Sequence, residues 1–127
     1  MDLCLRVLSD SYAISRLPQD DPIPVWAQGG EISAVVRTCD ELSVVCLDAL
    51  VTKNVRTEKG WRVLKVLGPL AFSLVGILAN LTRVLADAEV GIFALSTFDT
   101  DYLLIKQHQL EAAKSALLQA GYSLQEE

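Results

Sequence analysis

A short polar connection between two apolar stretches is the part of the sequence best suited to bind a small molecule. Residues 96–101, Ser-Thr-Phe-Asp-Thr-Asp, offer hydroxyls, backbone carbonyls, an aromatic ring and carboxylates. A second connection, residues 68–71, leads into a predicted helix, and the unpaired N–H groups at the start of a helix favour an anion. A free amino acid needs donors for its carboxylate and acceptors for its ammonium. The two connections therefore predict a site for a small zwitterion.

The same residues do not form a recognisable catalytic group. Asp99 and Asp101 have the spacing of an acid/base pair, but no complementary nucleophile, metal ligand or cofactor motif accompanies them in the sequence. His108 lies in a polar Gln-His-Gln stretch, and we interpret it as a solvated residue at the start of a helix. A small enzyme that uses Asp99 or Asp101 is the least favoured hypothesis. We expect a protein that is not an enzyme and needs no cofactor.

The cysteines predict neither a metal site nor a disulfide framework. Their number is odd, no C-x-x-C spacing occurs, and the chain has a single histidine; the three are Cys4, Cys39 and Cys46. A zinc site needs about four nitrogen or sulfur ligands, or three and a water. We therefore expect no metal, and buried, reduced thiols of the kind found in cytoplasmic proteins.

Charge and hydropathy exclude several partners. The 127 residues include 11 basic and 16 acidic side chains, a net charge of −5, and no basic stripe. Neither a nucleic acid nor a membrane surface is an expected partner. Residues 66–82 are uncharged, but Gly68-Pro69 interrupts them and leaves fewer than the about 20 residues that span a membrane. The stretch 3–8 is too short for a secretory signal and contains Arg6. The expected location is the cytoplasm.

The elements that must position the polar connection alternate in the second half of the chain. Apolar alternation and helical spacing predict strands at 61–67, 90–95, 101–106 and 122–124, with helices at 72–86 and 110–120. The order β-α-β-β-α-β is that of a ferredoxin-like unit. The polar stripe of the first helix is narrow, so we expect this helix to be buried over most of its girth.

The first half is predicted to contain strands at 3–8, 12–17, 32–37 and 42–47. Shifted by sixty residues, the hairpin at 32–47 matches the later one, with Ala34 meeting Ala94. This weak repeat predicts two related modules, 1–58 with reduced helices and 59–127 complete. The predicted fold class is α+β, with two ferredoxin-like βαββαβ modules packed together, antiparallel sheets, and helices on one face.

Several stretches make the sequence similar to a known family. Those that resemble ACT domains of bacterial tandem-ACT proteins are 61–70, 72–73, 76–78 and 92–106, with 23–27 and 40–46 in the first half. ACT domains are ferredoxin-like modules that commonly bind amino acids, regulate enzymes or transporters, and pair side by side with ligands at the interface. The resemblance implies a small-molecule ligand, a free amino acid above all, and either a homo-oligomer or a regulated partner protein.

The same subfamily includes the eukaryotic cytosolic arginine sensors called CASTOR. In those sensors a Ser-Thr-Phe-x-x-Asp block and a Gly-Ile pair line the arginine pocket. By motif match, the resemblance implies a ligand-binding role for Gly76, Ile77, Thr97, Phe98, Thr100 and Asp101. The sensors have an acidic residue two positions before the glycine, where this chain has Leu74. One counter-charge for a cationic ligand is therefore absent, and a neutral amino acid fits the sequence at least as well as arginine does.

Two functional hypotheses follow from the sequence. In the first, the chain is a regulatory sensor that binds an amino acid without catalysis and changes its association with a partner. In the alternative, it is a protein–protein interaction or assembly module with an unoccupied pocket. The broad apolar girth predicted for helix 72–86 favours this alternative.

Overall fold

The structure is a computed structural model that describes residues 3–52, 54–67 and 75–127. The Gly-Pro connection at 68–71 and the predicted first turn of the helix at 72–74 lie outside the described residues. The strands are β1 (Cys4–Val7), β2 (Tyr12–Leu17), β3 (Ala34–Arg37), β4 (Leu42–Leu47), β5 (Arg56–Val66), β6 (Phe93–Ser96), β7 (Asp101–Lys106) and β8 (Ser123–Glu126). The α-helices are α1 (Ile77–Asp87) and α2 (Leu110–Gln119). This is a mixed α+β chain with mostly antiparallel strands.

The chain divides into two compact units. One, here called the helical unit, comprises Met1–Ser9 and Arg62–Glu127, and the other, the strand unit, comprises Asp10–Trp61. Strand β5 begins in the strand unit and ends in the helical unit. These units group the residues differently from the predicted division at 58/59, because the first strand belongs with the second half of the chain.

The helical unit contains the strand order β6-β7-β5-β1-β8. Strand β1 is antiparallel to β5, with Leu5 opposite Val66, and parallel to β8, with Cys4 opposite Ser123. From β5 onward the elements follow the predicted β-α-β-β-α-β order. Strand β1 adds a fifth strand between β5 and β8, which local sequence patterns did not predict.

The core of the helical unit lies between the two helices and one face of its strands. Alternate residues of the strands point to this face. The core includes Leu5, Val7, Leu64, Val66, Leu103 and Ile105 from the strands and Ile77, Leu81, Leu85, Leu110, Ala113 and Leu117 from the helices. Burial of each large apolar side chain contributes roughly 1.5–3 kcal/mol. Because the side chains of Leu5 and Val7 pack into this core, β1 belongs to the helical unit.

Helix α1 differs from its prediction at the start and around its circumference. It begins at Ile77, because Gly76 adopts a left-handed conformation with φ of 86°. Val75, predicted on the apolar face, is 92% exposed. The buried residues are Ile77, Leu81 and Leu85, while Asn80 and Arg83 are among the exposed ones. The prediction that this helix is buried over most of its girth is therefore wrong.

The strand unit is built from β3, β4, β2 and the first part of β5, in that order. Its core contains Leu17, Ala27, Leu42, Val44 and Cys46. The described residues of this unit form no α-helix, only a single 3₁₀ turn at Asp48–Leu50. Cys46 is buried, but Cys39 is exposed at the turn between β3 and β4, so the expectation of buried thiols is wrong for Cys39.

Candidate functional site

The turn between β6 and β7 is held in one shape by its two threonines. The backbone N–H of Thr97 donates to the carbonyl of Thr100 at 2.8 Å. The Thr97 hydroxyl donates to the same carbonyl at 3.0 Å, and the backbone N–H of Thr100 donates back to that hydroxyl at 3.2 Å. These three bonds close residues 97–100 into a tight loop, with Phe98 and Asp99 at its tip.

Thr100 also fixes the turn to the end of β5. Its hydroxyl donates to the carbonyl of Val66 at 2.6 Å, and the side chain is only 6% exposed. A buried hydroxyl with a good acceptor resists displacement, because breaking the bond leaves a buried polar group without a partner. The turn therefore lies beside the point where the chain leaves β5 towards α1.

Asp101 is the half-buried carboxylate at the start of β7. Ser96, its cross-strand partner in β6, donates from its hydroxyl to Oδ1 of Asp101 at 2.6 Å. Within the described part of the chain, no hydrogen bond to Oδ2 is present. A carboxylate that is oriented through one oxygen can accept a hydrogen bond from a ligand cation at the other.

Phe98 extends from the tip of the turn and is 80% exposed. An aromatic ring at this exposure leaves most of its apolar surface in contact with water. Covering the ring with a ligand or with another protein surface would release that water and favour association. The ring therefore offers an exposed apolar surface on the connection that leads to Asp101.

Gly76 and Ile77 form the start of α1. Gly76 is exposed, and a Cβ built on it would meet no atom within 4 Å, so the space beside this backbone is open. The side chain of Ile77 packs in the core of the helical unit. Ile77 can therefore reach a ligand only through its backbone, whose N–H is one of the unpaired donors of the first turn.

The structure gathers four of the six candidate residues into one turn. Thr97, Phe98, Thr100 and Asp101 lie together at the β6–β7 connection, while Gly76 and Ile77 lie at the start of α1. The contact of Thr100 with Val66 connects the turn to the strand that precedes α1. The other predicted contributor, residues 68–71, lies outside the described residues.

A buried phenol steadies the start of α1, a role that the sequence did not predict. Tyr122 is 3% exposed, and its hydroxyl donates to Oδ1 of Asn80, in the first turn of the helix. Asn80 in turn donates its backbone N–H to the carbonyl of Gly76 at 2.9 Å. Burial raises the pKa of the Tyr122 phenol. The only local signal was the position of Tyr122 directly after Gly121, at the end of α2.

The structure gives no chemical role to the other candidate residues that it describes. Among the described residues, no group of three or more histidines, cysteines or carboxylates is placed to hold a metal ion. His108 is exposed in the 3₁₀ turn Gln107–Gln109 that precedes α2, as the sequence predicts. No helix in the described ranges is long and apolar enough to cross a membrane.

Comparison with known families matches two segments of the chain. Residues 56–119, half of the chain, match the model of an ACT domain. Residues 10–54 match a separate model that describes an N-terminal domain. The chain therefore belongs to the ACT domain family. Most of its strand unit matches a different family model from the one that describes the ACT domain.

Solved structures share this fold. Protein Atu0741 from Agrobacterium tumefaciens is 41% identical, with a TM-score of 0.94 over all of this chain and 95% of that one. VC0802 from Vibrio cholerae, described as a possible transport protein, is 13% identical, with a TM-score of 0.71 over 92% of this chain and 88% of that one. The ligand-free regulatory subunit of aspartate kinase from Thermus thermophilus is 12% identical, with a TM-score of 0.62 over 88% and 93%. The last two show the fold alone. A comparison with curated proteins found no significant match.

Proposed function

We propose that this chain is a regulatory protein that binds a small molecule, in the first place a free amino acid, and catalyses no reaction. The observation that carries the proposal is the fixed β6–β7 turn, which contains both Asp101, held by Ser96, and the exposed residue Phe98. ACT domains of regulatory subunits have the same fold. A cytoplasmic location fits this role.

Each candidate residue has a distinct role in this proposal. Asp101 accepts from the ligand's ammonium, and Phe98 covers its apolar atoms. The hydroxyls of Thr97 and Thr100 are already engaged within the turn and with Val66, so these residues position the turn. The backbone N–H groups at Gly76 and Ile77 supply donors for the ligand's carboxylate.

The CASTOR-like tandem arrangement is part of the proposal. The Ser-Thr-Phe-x-x-Asp block supports it, and in this view the strand unit is a diverged first module without α-helices. Leu74 replaces an acidic residue of the sensors, so the proposal extends to neutral amino acids as well as to arginine. The ligand would change association with a second copy of the chain or with a partner protein.

One observation favours the alternative, an interaction or assembly module with an unoccupied pocket. Val75 and Phe98 are 92% and 80% exposed, respectively. Large exposed apolar side chains are also typical of protein–protein contacts. Under this alternative, replacing Asp101 leaves association unchanged, whereas replacing Phe98 weakens it.

Thermal unfolding in the presence of each of the twenty amino acids tests the proposal. At least one amino acid should raise the midpoint temperature of the wild-type chain, since ligands of the folded state stabilise it by mass action. Asp101→Asn should lower the affinity for that amino acid by about tenfold or more, because a hydrogen bond to a charged group contributes about 1.5–3 kcal/mol. Asp99→Asn, which removes the same charge from the same turn, is the matched control and should retain binding. A folded wild-type chain that responds to none of the twenty contradicts the proposal.

A further inference from the structure

Strand β3 lies at one end of the sheet and leaves one of its edges open. Among the described strands it pairs with β4 alone, in a regular antiparallel register from Ala34 opposite Val45 to Arg37 opposite Leu42. An edge strand presents backbone groups to which another chain can pair, and proteins often protect it with a charge, a proline or a bulge. Residues 34–36, Ala-Val-Val, carry no charge and no proline, and their register with β4 contains no bulge.

The hydrogen bonds of the hairpin show which backbone groups of β3 face the open edge. The N–H of Thr38 donates to the carbonyl of Glu41 at 2.9 Å, where β3 and β4 join. Because hydrogen-bonded and non-hydrogen-bonded pairs alternate along an antiparallel ladder, the even-numbered residues of β3 bond to β4. The odd-numbered residues, Val35 and Arg37, therefore direct their N–H and C=O groups to the open edge. No backbone hydrogen bond reaches these four groups from any residue that the structure describes.

The two faces of β3 differ in chemistry. Val35 packs against the core of the strand unit, and Arg37 shares that face because successive residues of a strand alternate. The opposite face carries Ala34, which is half-buried, and Val36, which is 51% exposed. A strand added to the open edge would therefore have apolar neighbours for every second side chain.

The loop that precedes β3 is held to the core face of this strand. The guanidinium of Arg37 donates to the carbonyl of Asp21 at 2.8 Å and also to the carbonyl of Gln19. Further along the loop, Trp26 packs against the same core as Val35. The loop is therefore anchored to one face of β3 at two points, and it does not pair with the edge of the strand.

This loop and the hairpin after it contain most of the charge of the chain. Residues 18–41 carry five acidic side chains and one basic side chain, in a chain whose net charge is −5. Three large apolar side chains of the same segment are exposed, Ile23 at 55%, Val25 at 91% and Val36 at 51%. An acidic surface repels a second copy of itself and favours a basic partner. Long basic side chains fit such a surface, because their alkyl stems cover apolar groups while their charged ends remain accessible.

We propose that the open edge of β3 binds an extended segment of a partner protein in which apolar and basic residues alternate. The segment adds a strand to the sheet and pairs through its backbone with Val35 and Arg37. Its apolar side chains lie beside Ala34 and Val36, and its basic side chains lie on the other face, towards the acidic loop. This surface belongs to the strand unit and does not depend on the ligand proposed for the β6–β7 turn.

Binding of synthetic peptides to the full chain tests this proposal. The probe is a capped, fluorescently labelled peptide of alternating valine and lysine, long enough to span β3. It should bind saturably in a fluorescence anisotropy titration, and more weakly at high salt because salt screens the attraction. A peptide with glutamate in place of lysine should not bind, since its charge has the same sign as the surface. A lysine peptide with all backbone amides methylated should not bind either, because it cannot donate backbone hydrogen bonds.

Amide NMR locates the bound peptide on the strand. The amide signals of Val35 and Arg37 should shift, and their hydrogen exchange should slow, because each N–H gains an acceptor. The N–H groups of Ala34 and Val36 already bond to β4, so their exchange should be slow with and without the peptide. This alternation is specific to a strand added at the open edge.

A lysine introduced on β3 tests the position of the surface. Val36→Lys should lower the affinity for the lysine peptide by about tenfold or more, because it replaces an apolar contact with a like charge. Leu118→Lys, at a position 55% exposed on α2, is the matched control and should keep the full affinity. Ile23→Lys serves as a second variant if Val36→Lys does not fold.

Equal affinity for the lysine and glutamate peptides, or for the lysine and methylated peptides, overturns the proposal, as does the absence of saturable binding. Slow exchange at Val35 and Arg37 that depends on protein concentration, without peptide, would show that a second copy occupies the edge and would also overturn it. Loss of amino-acid binding at the β6–β7 turn would leave these measurements unaffected, so the two proposals fail independently.

Discussion

At the scale of single residues, the hydroxyl of Thr100 holds the candidate site in place. Thr100→Val keeps the shape of the side chain but leaves the buried carbonyl of Val66 without this donor. We expect a loss of about 1–3 kcal/mol in the free energy of unfolding, measured by urea denaturation. Thr97→Val, at an exposed position, should cost less, since water can replace the hydroxyl. Equal stability of Thr100→Val and the wild type contradicts this role.

The buried phenols predict how stability depends on pH. Burial raises the pKa of Tyr122 and of Tyr12 above the ordinary value of about 10. The folded state then holds these protons more tightly than the unfolded state. Their contribution to stability is fully present below pH of about 10 and is lost as the pH rises through the higher pKa of the folded state.

Tyr122→Phe tests the Tyr122 part of this dependence. The variant should lose about 0.5–1.5 kcal/mol at neutral pH, because the hydrogen bond to Asn80 is removed, and its stability should fall less steeply in alkali. Denaturation midpoints measured from pH 7 to strongly alkaline solution give the comparison; an unchanged slope in Tyr122→Phe would show that another group titrates.

At the scale of elements, Gly76 determines where α1 begins. Its φ of 86° lies in the left-handed region, and open space surrounds the position of a Cβ. Gly76→Ala should therefore cost about 1–2 kcal/mol through backbone strain alone. Gly91→Ala, where φ is not positive and the nearest atom lies 4.0 Å away, should be nearly neutral. Circular dichroism during urea denaturation measures both, and equal costs would rule out strain at Gly76 as the cause.

Elements with strong local patterns could be predicted from the sequence, and their predicted ends agree well with those in the structure. The strands at 12–17, 42–47 and 101–106 coincide with β2, β4 and β7, because each is bounded by turn residues. The start of α1 was missed because its apolar spacing continues upstream through Val75, and periodicity does not report a left-handed glycine.

Only the part of the site whose polar residues are close together in the sequence could be predicted. The turn at 96–101 stands out because hydroxyls and carboxylates interrupt two apolar strands. The contact that holds this turn, from Thr100 to Val66, joins residues 34 positions apart, and the contact at the start of α1, from Tyr122 to Asn80, joins residues 42 positions apart. Such partners depend on the tertiary arrangement, which a single sequence does not encode locally.

At the scale of the whole molecule, the insertion of β1 makes the helical unit depend on both ends of the sequence. A fragment of residues 59–127 leaves β5 and β8 without the strand that lies between them, and it removes Leu5 and Val7 from the core. Each missing side chain of this kind costs about 2–5 kcal/mol in a packed core. A total of this size is comparable with the whole stability of a small domain.

We therefore expect the fragment 59–127 to lack a cooperative thermal transition, whereas the full chain unfolds cooperatively. In the full chain, Leu5→Ala should lower the free energy of unfolding by about 2–5 kcal/mol, and Ala112→Gly, on the exposed side of α2, by about 1 kcal/mol. Scanning calorimetry of the three proteins and the fragment gives the comparison. A fragment that unfolds cooperatively near the temperature of the full chain would show that residues 59–127 form an independent module.

The central proposal is that a small molecule binds at the β6–β7 turn, with backbone donors from the start of α1. The most direct measurement is a two-dimensional amide NMR titration of the wild-type chain with the amino acid that stabilises it most. We predict saturable shifts at Thr97, Phe98, Asp101 and Gly76, and their loss in Asp101→Asn. Saturable shifts confined to other residues, or no shifts at all, would contradict the account.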